Sequence, residues 1–221
     1  MRRMILLICA VVPTVFGLSG ARVIDFDHER VGTTPSEWEP AMTKSGAAPR
    51  WEILQDQTAP SKPNVLAQLS SDRTAGRFPM AIMRGVTIRD GEVSVRFKPV
   101  AGEVDQAAGL VWRYIDRNNY YIVRANALEN NVVLYKVENG ERTSLAPRGL
   151  PSRSYGVKHV VPKMVWSELK VSFIDTVATV SLNNERLFEV IDTTFRNAGR
   201  IGLWTKADSV TFFDNFSFSP R

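Results

Sequence analysis

Residues 108–138, AGLVWRYIDRNNYYIVRANALENNVVLYKVE, decide the fold class of this chain. Three runs rich in β-branched and aromatic residues are separated by short groups of Asp, Arg and Asn. Such runs favour β-strands, and such polar groups favour the tight turns that join antiparallel neighbours. The stretch therefore predicts three consecutive strands joined by tight turns.

The same pattern continues on both sides of this stretch. Residues 92–97 (EVSVRF) and 169–173 (LKVSF) alternate polar and apolar side chains with a period of two, and no segment has a sustained helical period. Predicted strands cover about residues 23–26, 51–54, 65–69, 80–88, 92–98, 108–115, 120–126, 131–138, 168–174, 177–182, 186–191, 200–205 and 209–218. We predict an all-β fold, a two-sheet antiparallel β-sandwich of jelly-roll type.

The first part of the chain is less regular. Most of residues 22–50 are expected to be irregular, because Gly32, Pro35 and Pro40 interrupt any long element. Residues 1–21 have the features of a secretory signal, with two early arginines, an apolar run from Ile5 to Leu18 and small residues before the cleavage point. We expect a signal peptide over 1–21, one jelly-roll domain over 22–221, and a periplasmic or secreted location.

Composition excludes several chemistries. The chain has one cysteine, Cys9, which lies inside the predicted signal, so the mature domain is expected to carry no disulfide or thiolate site. The densest basic stretch, residues 148–163, is expected to be a solvated loop. The charges are otherwise scattered, so we expect no nucleic-acid partner, and no membrane partner after signal cleavage.

Polar and aromatic side chains mark a candidate binding surface on the predicted sheet. Guanidinium and amide groups suit vicinal hydroxyls, and aromatic rings offer stacking faces for a sugar. If 108–115 pairs with 120–126 through the turn at 116–119, Arg113 and either Arg124 or its neighbour are expected near each other across the hairpin. Salt bridges and a filled core are the alternative interpretation of the same residues. The proposed ligand-binding residues are Arg113, Tyr121, Arg124, Asn126, Glu129, Asn130, Tyr135, Trp204 and Lys206.

A second candidate site joins the two ends of the domain. Asp25, Asp27, Asp214 and Asn215 come from the first and last predicted strands, which usually neighbour each other in jelly rolls. Oxygen ligands of this kind suit calcium, so a structural calcium ion is the one cofactor considered. Hydrogen-bonded aspartates at a strand end are the alternative.

Several stretches resemble the concanavalin A-like lectin/glucanase superfamily. The closest resemblance is to the laminin G-like jelly rolls of bacterial exported proteins, including the group named for 3-keto-disaccharide hydrolase activity. The matching residues are Asp25-Phe26-Asp27 with Gly32, Pro35 and Trp38, then Ala59-Pro60, 63–68, 109–114, Asn119-Tyr120-Tyr121, Arg124, 187–190 and 199–216. The resemblance implies a jelly roll that handles carbohydrate.

Three functions are open at this point. The first is a non-catalytic carbohydrate-binding module. The second, which the resemblance implies, is a hydrolase or lyase acting on 3-keto-disaccharides, with Glu129 as a candidate base. The glucanases of this superfamily carry Glu-x-Asp-x-x-Glu, whereas residues 103–108 read EVDQAA and lack the last glutamate. The third is a structural or protein-interaction module.

Overall fold

The computed structural model describes residues 20–221, so most of the predicted signal peptide, residues 1–19, lies outside the described residues. The described part of the chain folds into sixteen strands and contains no helix. Nothing within it could therefore cross a bilayer as a helix. The strands are β1 (Arg22–Ile24), β2 (Trp38–Thr43), β3 (Trp51–Gln55), β4 (Asn64–Gln68), β5 (Phe78–Ile88), β6 (Gly91–Ala101), β7 (Ala107–Asp116), β8 (Asn119–Asn126), β9 (Asn131–Glu138), β10 (Glu141–Leu145), β11 (Val157–Lys158), β12 (Ser167–Ile174), β13 (Val177–Leu182), β14 (Glu185–Ile191), β15 (Gly199–Trp204) and β16 (Val210–Pro220).

The strands form two antiparallel sheets of eight. Sheet A has the order β14-β13-β12-β6-β16-β4-β3, with β1 paired to β16. Sheet B has the order β10-β9-β8-β7-β15-β5-β2, with β11 paired to β9. Trp112 from sheet B stacks on Phe173 from sheet A with ring centres 5.8 Å apart, within the core between the sheets. The predicted two-sheet β-sandwich is confirmed.

Sheet B is strongly curved and encloses a second apolar cluster on its other face. Lys44, just after edge strand β2, forms a 3.0 Å ion pair with Glu141 at the start of the opposite edge strand, β10. The guanidinium of Arg142 also reaches across to the ring of Phe78 on β5, at 4.7 Å. The face turned away from the main core is therefore filled by its own side chains. Its buried members are Phe78, Met80, Ile82, Ala107, Val111, Tyr114, Tyr120, Ile122, Val133, Tyr135, Val137 and Trp204.

Three strands lie outside the predicted set. Strand β2 spans Pro40, which the sequence treated as a breaker, but β2 is an edge strand and an edge tolerates a residue without an N–H. Strand β10 reads ERTSL and lacks an apolar face, because it too is an edge strand. Strand β11 has only two residues. The expectation that residues 22–50 are mostly irregular is therefore wrong at β2.

Candidate functional site

The expected position of Arg113 is wrong. Arg113 has φ 48° and lies at a register shift between β7 and β8, so its side chain does not continue the alternation of Val111. In the regular part of this hairpin, Arg124 pairs with Gly109 and Tyr121 with Trp112. Arg113 and Arg124 therefore lie near opposite ends of the hairpin and are not neighbours.

Arg113 is buried and bonded to the protein itself. Its guanidinium donates to the carbonyl oxygens of Phe195 at 2.7 Å and Asp175 at 2.6 Å, and its Nε donates to that of Arg89. Asp90 completes the set at 3.3 Å. Burial lowers the pKa of Arg113, against the attraction of nearby Asp90. These contacts agree with the alternative interpretation, in which Arg113 has a structural role and does not bind a ligand.

Tyr121 also faces the main core. Its hydroxyl donates a 2.5 Å hydrogen bond to Asp192 and accepts one from the backbone N–H of Phe195. The ring stacks on Trp112 with centres 5.4 Å apart. Tyr121 lies on the inner side of sheet B, away from the second apolar cluster that holds Tyr135. The two tyrosines thus do not share a surface.

Arg124 is the centre of a polar network at one end of sheet B. The side chain is fully buried and binds both carboxylate oxygens of Glu129, at 3.2 and 2.8 Å. It also donates to Asn131 at 2.9 Å. Burial acts to raise the pKa of Glu129, but attraction and hydrogen bonding from Arg124 outweigh it, and the pKa is lowered. Glu129 carries this network to the surface, where its side chain is 37% exposed.

Asn126 extends the network to a second carboxylate. Its amide nitrogen lies 2.6 Å from Asp105 and 3.2 Å from Glu129. Lys206 donates to the other oxygen of Asp105 at 2.5 Å. Burial raises the pKa of Asp105, and the hydrogen bond from Lys206 offsets only part of this effect. Sequence reasoning did not identify Asp105 as a partner of Asn126. Asp105 lies in the loop between β6 and β7, and strand pairing does not predict the position of a loop residue.

Asn130 has a backbone role at the same end. Its side-chain oxygen accepts the N–H of Val161, and its carbonyl oxygen accepts that of His159. The predicted set is thus divided. The structure brings together Arg124, Asn126, Glu129, Asn130 and Lys206, of which only Glu129, Asn130 and Lys206 reach solvent.

The two remaining aromatic residues of the predicted site are buried. Tyr135 and Trp204 belong to the second apolar cluster. The guanidinium of Arg142 lies 4.4 Å from the ring centre of Tyr135 and 5.7 Å from that of Trp204. The flat faces that were expected to stack on a sugar are thus covered by the protein's own arginine.

An open groove that no sequence pattern predicted lies along edge strand β2. It has a volume of about 480 Å³, within the usual range of small-molecule sites. We call it the β2 groove. It is lined by Glu39, Pro40, Ala41, Met42, Lys44, Ala48, Pro49, Tyr114 and Arg117. It was missed because β2 was expected to be irregular, so that no residue of β2 was placed on the sheet.

The β2 groove combines an apolar floor with charged groups. Arg200 donates a 2.7 Å hydrogen bond to Glu39 and lies 4.9 Å from the ring centre of Tyr114. The hydrogen bond from Arg200 lowers the pKa of Glu39, so Glu39 is ionised at neutral pH. Arg117 is exposed at the hairpin tip between β7 and β8. Such a surface offers both C–H contacts and hydrogen bonds to a polar ligand.

The four residues predicted to hold calcium do come together. Ser61 links two of them, because its N–H donates to Asp214 at 2.7 Å and its hydroxyl donates to Asp27. The N–H of Asp27 in turn donates to Asp25, and that of Asn215 to Asp214.

The electrostatics of this acidic group follow from its burial. Burial raises the pKa of Asp214 to about 6, against the backbone hydrogen bonds that it accepts, and repulsion from Asp27 and Asp25 adds to the rise. Oxygen donors gathered at such a point suit a hard cation. In residues 20–221, however, no three or more His, Asp or Glu side chains are grouped as a metal site would require.

Comparison with known proteins shows the fold and no closer relationship. No protein-family model matches the sequence, and no curated protein matches it significantly. The carbohydrate-binding module CBM66 from Bacillus subtilis matches the structure with a TM-score of 0.62 and 16% identity, over 83% of this chain and 95% of the module. Domain 4 of a GH43 extracellular arabinanase from Geobacillus stearothermophilus, solved with arabinotriose, matches with a TM-score of 0.55 and 12% identity, over 90% of this chain and 93% of the domain.

A third match is a protein of unknown function with a galectin-like fold from Bacillus subtilis. Its TM-score is 0.53 at 12% identity, over 84% of this chain and 91% of that one. These likenesses define the class of the fold, a jelly roll of the kind found in galectin-like proteins and carbohydrate-binding modules. This class is consistent with the concanavalin A-like resemblance seen in the sequence.

Proposed function

We propose that the chain is an exported, non-catalytic carbohydrate-binding module that holds its ligand in the β2 groove. The observation that carries the proposal is the open volume of about 480 Å³ beside an apolar strip, with Glu39 and Arg117 at its edge. A sugar presents C–H faces and hydroxyl edges, which such a surface matches. The structural likeness to the carbohydrate-binding module CBM66 and to the arabinanase domain solved with arabinotriose supports the same ligand class.

The surface-reaching residues of the Arg124 network offer a rival location for the same ligand. Glu129, Asn130 and Lys206 are the members of the predicted site that solvent reaches. Arg124 and Asn126 would then position Glu129 without touching the sugar themselves. This location lies at the far end of β7 from the β2 groove.

Binding measurements with variants separate the two locations. A glycan array of residues 22–221 identifies a ligand, and calorimetry then gives its affinity for each variant. Arg117→Ala is expected to weaken binding at least tenfold, whereas Lys206→Ala is expected to leave it unchanged. Lys62→Ala, at an exposed position outside both locations, serves as the control. If Lys206→Ala weakened binding and Arg117→Ala did not, the site would lie at the Arg124 network. If the array showed no bound glycan, the proposal would be wrong.

A second function has a specific observation in its favour. Asp105 and Glu129 both lie within hydrogen-bond distance of the Asn126 amide, and their pKa values are shifted in opposite directions. Carboxyl groups that differ in this way can divide acid and base roles. A 3-keto-glycoside has an acidified C–H beside its keto group, which Glu129 would deprotonate to start elimination. Cleavage of such a substrate by the wild type and not by Glu129→Gln would establish this function.

A structural or protein-interaction module is the remaining class. If the wild-type protein neither binds a glycan nor cleaves a keto-glycoside, this class would be favoured. A structural calcium ion beside Asp25, Asp27, Asp214 and Asn215 also remains a proposal. It is supported by Ser61, which bonds both Asp27 and Asp214 and so links the first and last parts of the domain. In this role Asp27 and Asp214 would supply the charge, and the ion would tie β1 to β16.

A further inference from the structure

One end of the sandwich exposes large apolar side chains. It carries the turns 102–106, 127–130 and 159–166, and we call it the loop end. Val160 is 70% exposed, Met164 61% and Val165 52%. Val104 and Leu128, in the two neighbouring turns, are 41% and 37% exposed. Apolar residues scattered singly over a surface need no explanation, but five at one end of a domain are typical of a contact surface.

The backbone of the loop end is fixed in place by hydrogen bonds. His159 and Val161 both bond Asn130, through N–H groups at 3.1 and 3.0 Å from its oxygens. The N–H of Met164 donates to Pro99 of β6 at 2.8 Å. Segment 159–166 therefore bridges the two sheets, and its apolar side chains are held outward by the fold.

The chain segment that carries Val160, Met164 and Val165 has charges of one sign. Segment 146–167 contains no Asp or Glu, and it carries Arg148, Arg153, Lys158 and Lys163. Two carboxylates of the neighbouring turns are paired with cations, Glu103 with Arg73 and Glu129 with Arg124. Glu185 lies 3.3 Å from the ring of His159.

The opposite end of the sandwich also exposes apolar residues, but each of them has an acidic neighbour in the chain. Ile115, Ile174 and Ile191 are 47–59% exposed, and an aspartate follows each of them in the chain. Arginines are present there too, since Arg117 follows Asp116 and Arg196 forms an ion pair with Asp175. Segment 158–166 differs because its exposed apolar residues have basic neighbours in the chain and no acidic one.

We propose that the loop end docks on an anionic lipid bilayer. Apolar side chains that enter the headgroup region contribute hydrophobic free energy, and nearby Lys and Arg are attracted to anionic lipids. Val160, Met164 and Val165 form the inserting tip, and Lys158 and Lys163 lie beside it. The sequence analysis predicted no membrane partner, because the apolar residues of the loop end come from separate turns and only the fold places them at one exposed end.

The test is co-sedimentation of residues 22–221 with lipid vesicles. This range contains all sixteen strands and omits the apolar N-terminal run, which would itself bind lipid. Vesicles of phosphatidylglycerol mixed with phosphatidylcholine are expected to sediment the protein, whereas pure phosphatidylcholine vesicles are not. Raising the salt concentration is expected to weaken the binding, because screening reduces the attraction between surface charges.

Variants test the residues directly. Lys163→Gln is expected to weaken binding about fivefold, since one basic residue near an anionic surface contributes roughly 1 kcal/mol. Val160→Asp and Met164→Asn are expected to abolish it, and asparagine tolerates the positive φ of Met164. Ile115→Asp, a matched change of an exposed residue at the opposite end, is expected to leave binding unchanged.

Tryptophan fluorescence supplies a second measurement. Trp38, Trp51, Trp112 and Trp204 are buried, whereas Trp166 is partly exposed beside Val165. Docking is therefore expected to shift the emission of Trp166 to shorter wavelength with anionic vesicles. Equal binding to neutral vesicles, no binding at all, or equal losses in Val160→Asp and Ile115→Asp would each overturn the proposal. An unchanged emission in a sedimenting sample would overturn it as well, because the tip would then lie away from the lipid.

Discussion

Arg113 of β7 donates a 2.6 Å hydrogen bond to the carbonyl oxygen of Asp175, in the turn between β12 and β13. This contact joins sheet B to sheet A. The same guanidinium also bonds Arg89 and Phe195, so one side chain ties strand β7 to three other loops. Its function is to hold the end of the sandwich together.

Replacing Arg113 with alanine is expected to destabilise the fold by roughly 3–5 kcal/mol. The change leaves buried carbonyl oxygens without donors, and each such loss costs about 1–3 kcal/mol. Urea denaturation at neutral pH measures the effect. Arg117→Ala, which removes an exposed arginine four residues away, is expected to change the free energy of unfolding by less than about 0.5 kcal/mol. A loss of under 1 kcal/mol for Arg113→Ala would contradict the clamping role.

Replacing Glu129 with alanine is expected to cost about 3–5 kcal/mol, because the fully buried Arg124 loses its charged partner. The control is Glu103→Ala, whose partner Arg73 is exposed and whose ion pair is expected to contribute at most about 1 kcal/mol. Similar losses in the two variants would show that Arg124 is not desolvated as described.

The stability supplied by Glu129 also depends on pH. Its folded pKa is lowered, so this contribution is present above the ordinary pKa of a glutamate, about 4.3, and is lost as the pH falls through the folded value. Denaturation curves between pH 3 and pH 7 should therefore show a fall in stability at the acid end that is smaller in Glu129→Gln. An identical acid limb in both proteins would contradict the pairing.

The contribution of Asp214 to stability depends on pH in the opposite direction. Its folded pKa is raised to about 6, so its contribution is favourable below about pH 4 and is lost as the pH rises through 6. In chelator, the wild type should lose stability relative to Asp214→Asn between about pH 4 and pH 6. If calcium binds there, added calcium should reverse this loss and raise the melting temperature. Absence of any calcium effect would leave Asp214 as a hydrogen-bonded structural residue.

Gly199→Ala is expected to destabilise the fold by about 1–3 kcal/mol or more, because a Cβ there would meet the backbone of Arg113 at 2.4 Å. Gly149→Ala is the matched control. No atom lies within 4 Å of the position that a Cβ would take at Gly149. Only the φ of +84° opposes the change, at a cost of about 1 kcal/mol. Thermal unfolding compares the two. A milder effect at Gly199 would mean that β7 and β15 can separate locally.

Much of the fold follows from local patterns that the sequence displays. Period-two alternation located β6 and β12, and turn residues such as Asn183-Asn184 separated the later strands correctly. These signals are local, since each depends on a few consecutive residues. The edge strand β10 lacks them because only part of one face is covered, and Pro40 concealed β2.

The candidate site was less accessible to this reasoning. The positive φ of Arg113 breaks the alternation, and a single residue in that conformation reverses the side to which its side chain points. The burial of Tyr135 and Trp204 depends on the curvature of sheet B, which is a property of the whole eight-stranded sheet. Polar residues in the strands indicated either a binding face or internal ion pairs, and only the assembled sheet shows which side chains are exposed.

The contact between Lys44 and Glu141 has a consequence for how copies of this protein meet one another. The open edges of a sheet are templates for strand addition and hence for aggregation. Here the ends of the two edge strands of sheet B approach each other, and each carries a charged side chain at the point of approach. We expect this ion pair to hinder edge-to-edge polymerisation at that point, which would serve a β-rich chain whose single cysteine cannot form an internal disulfide.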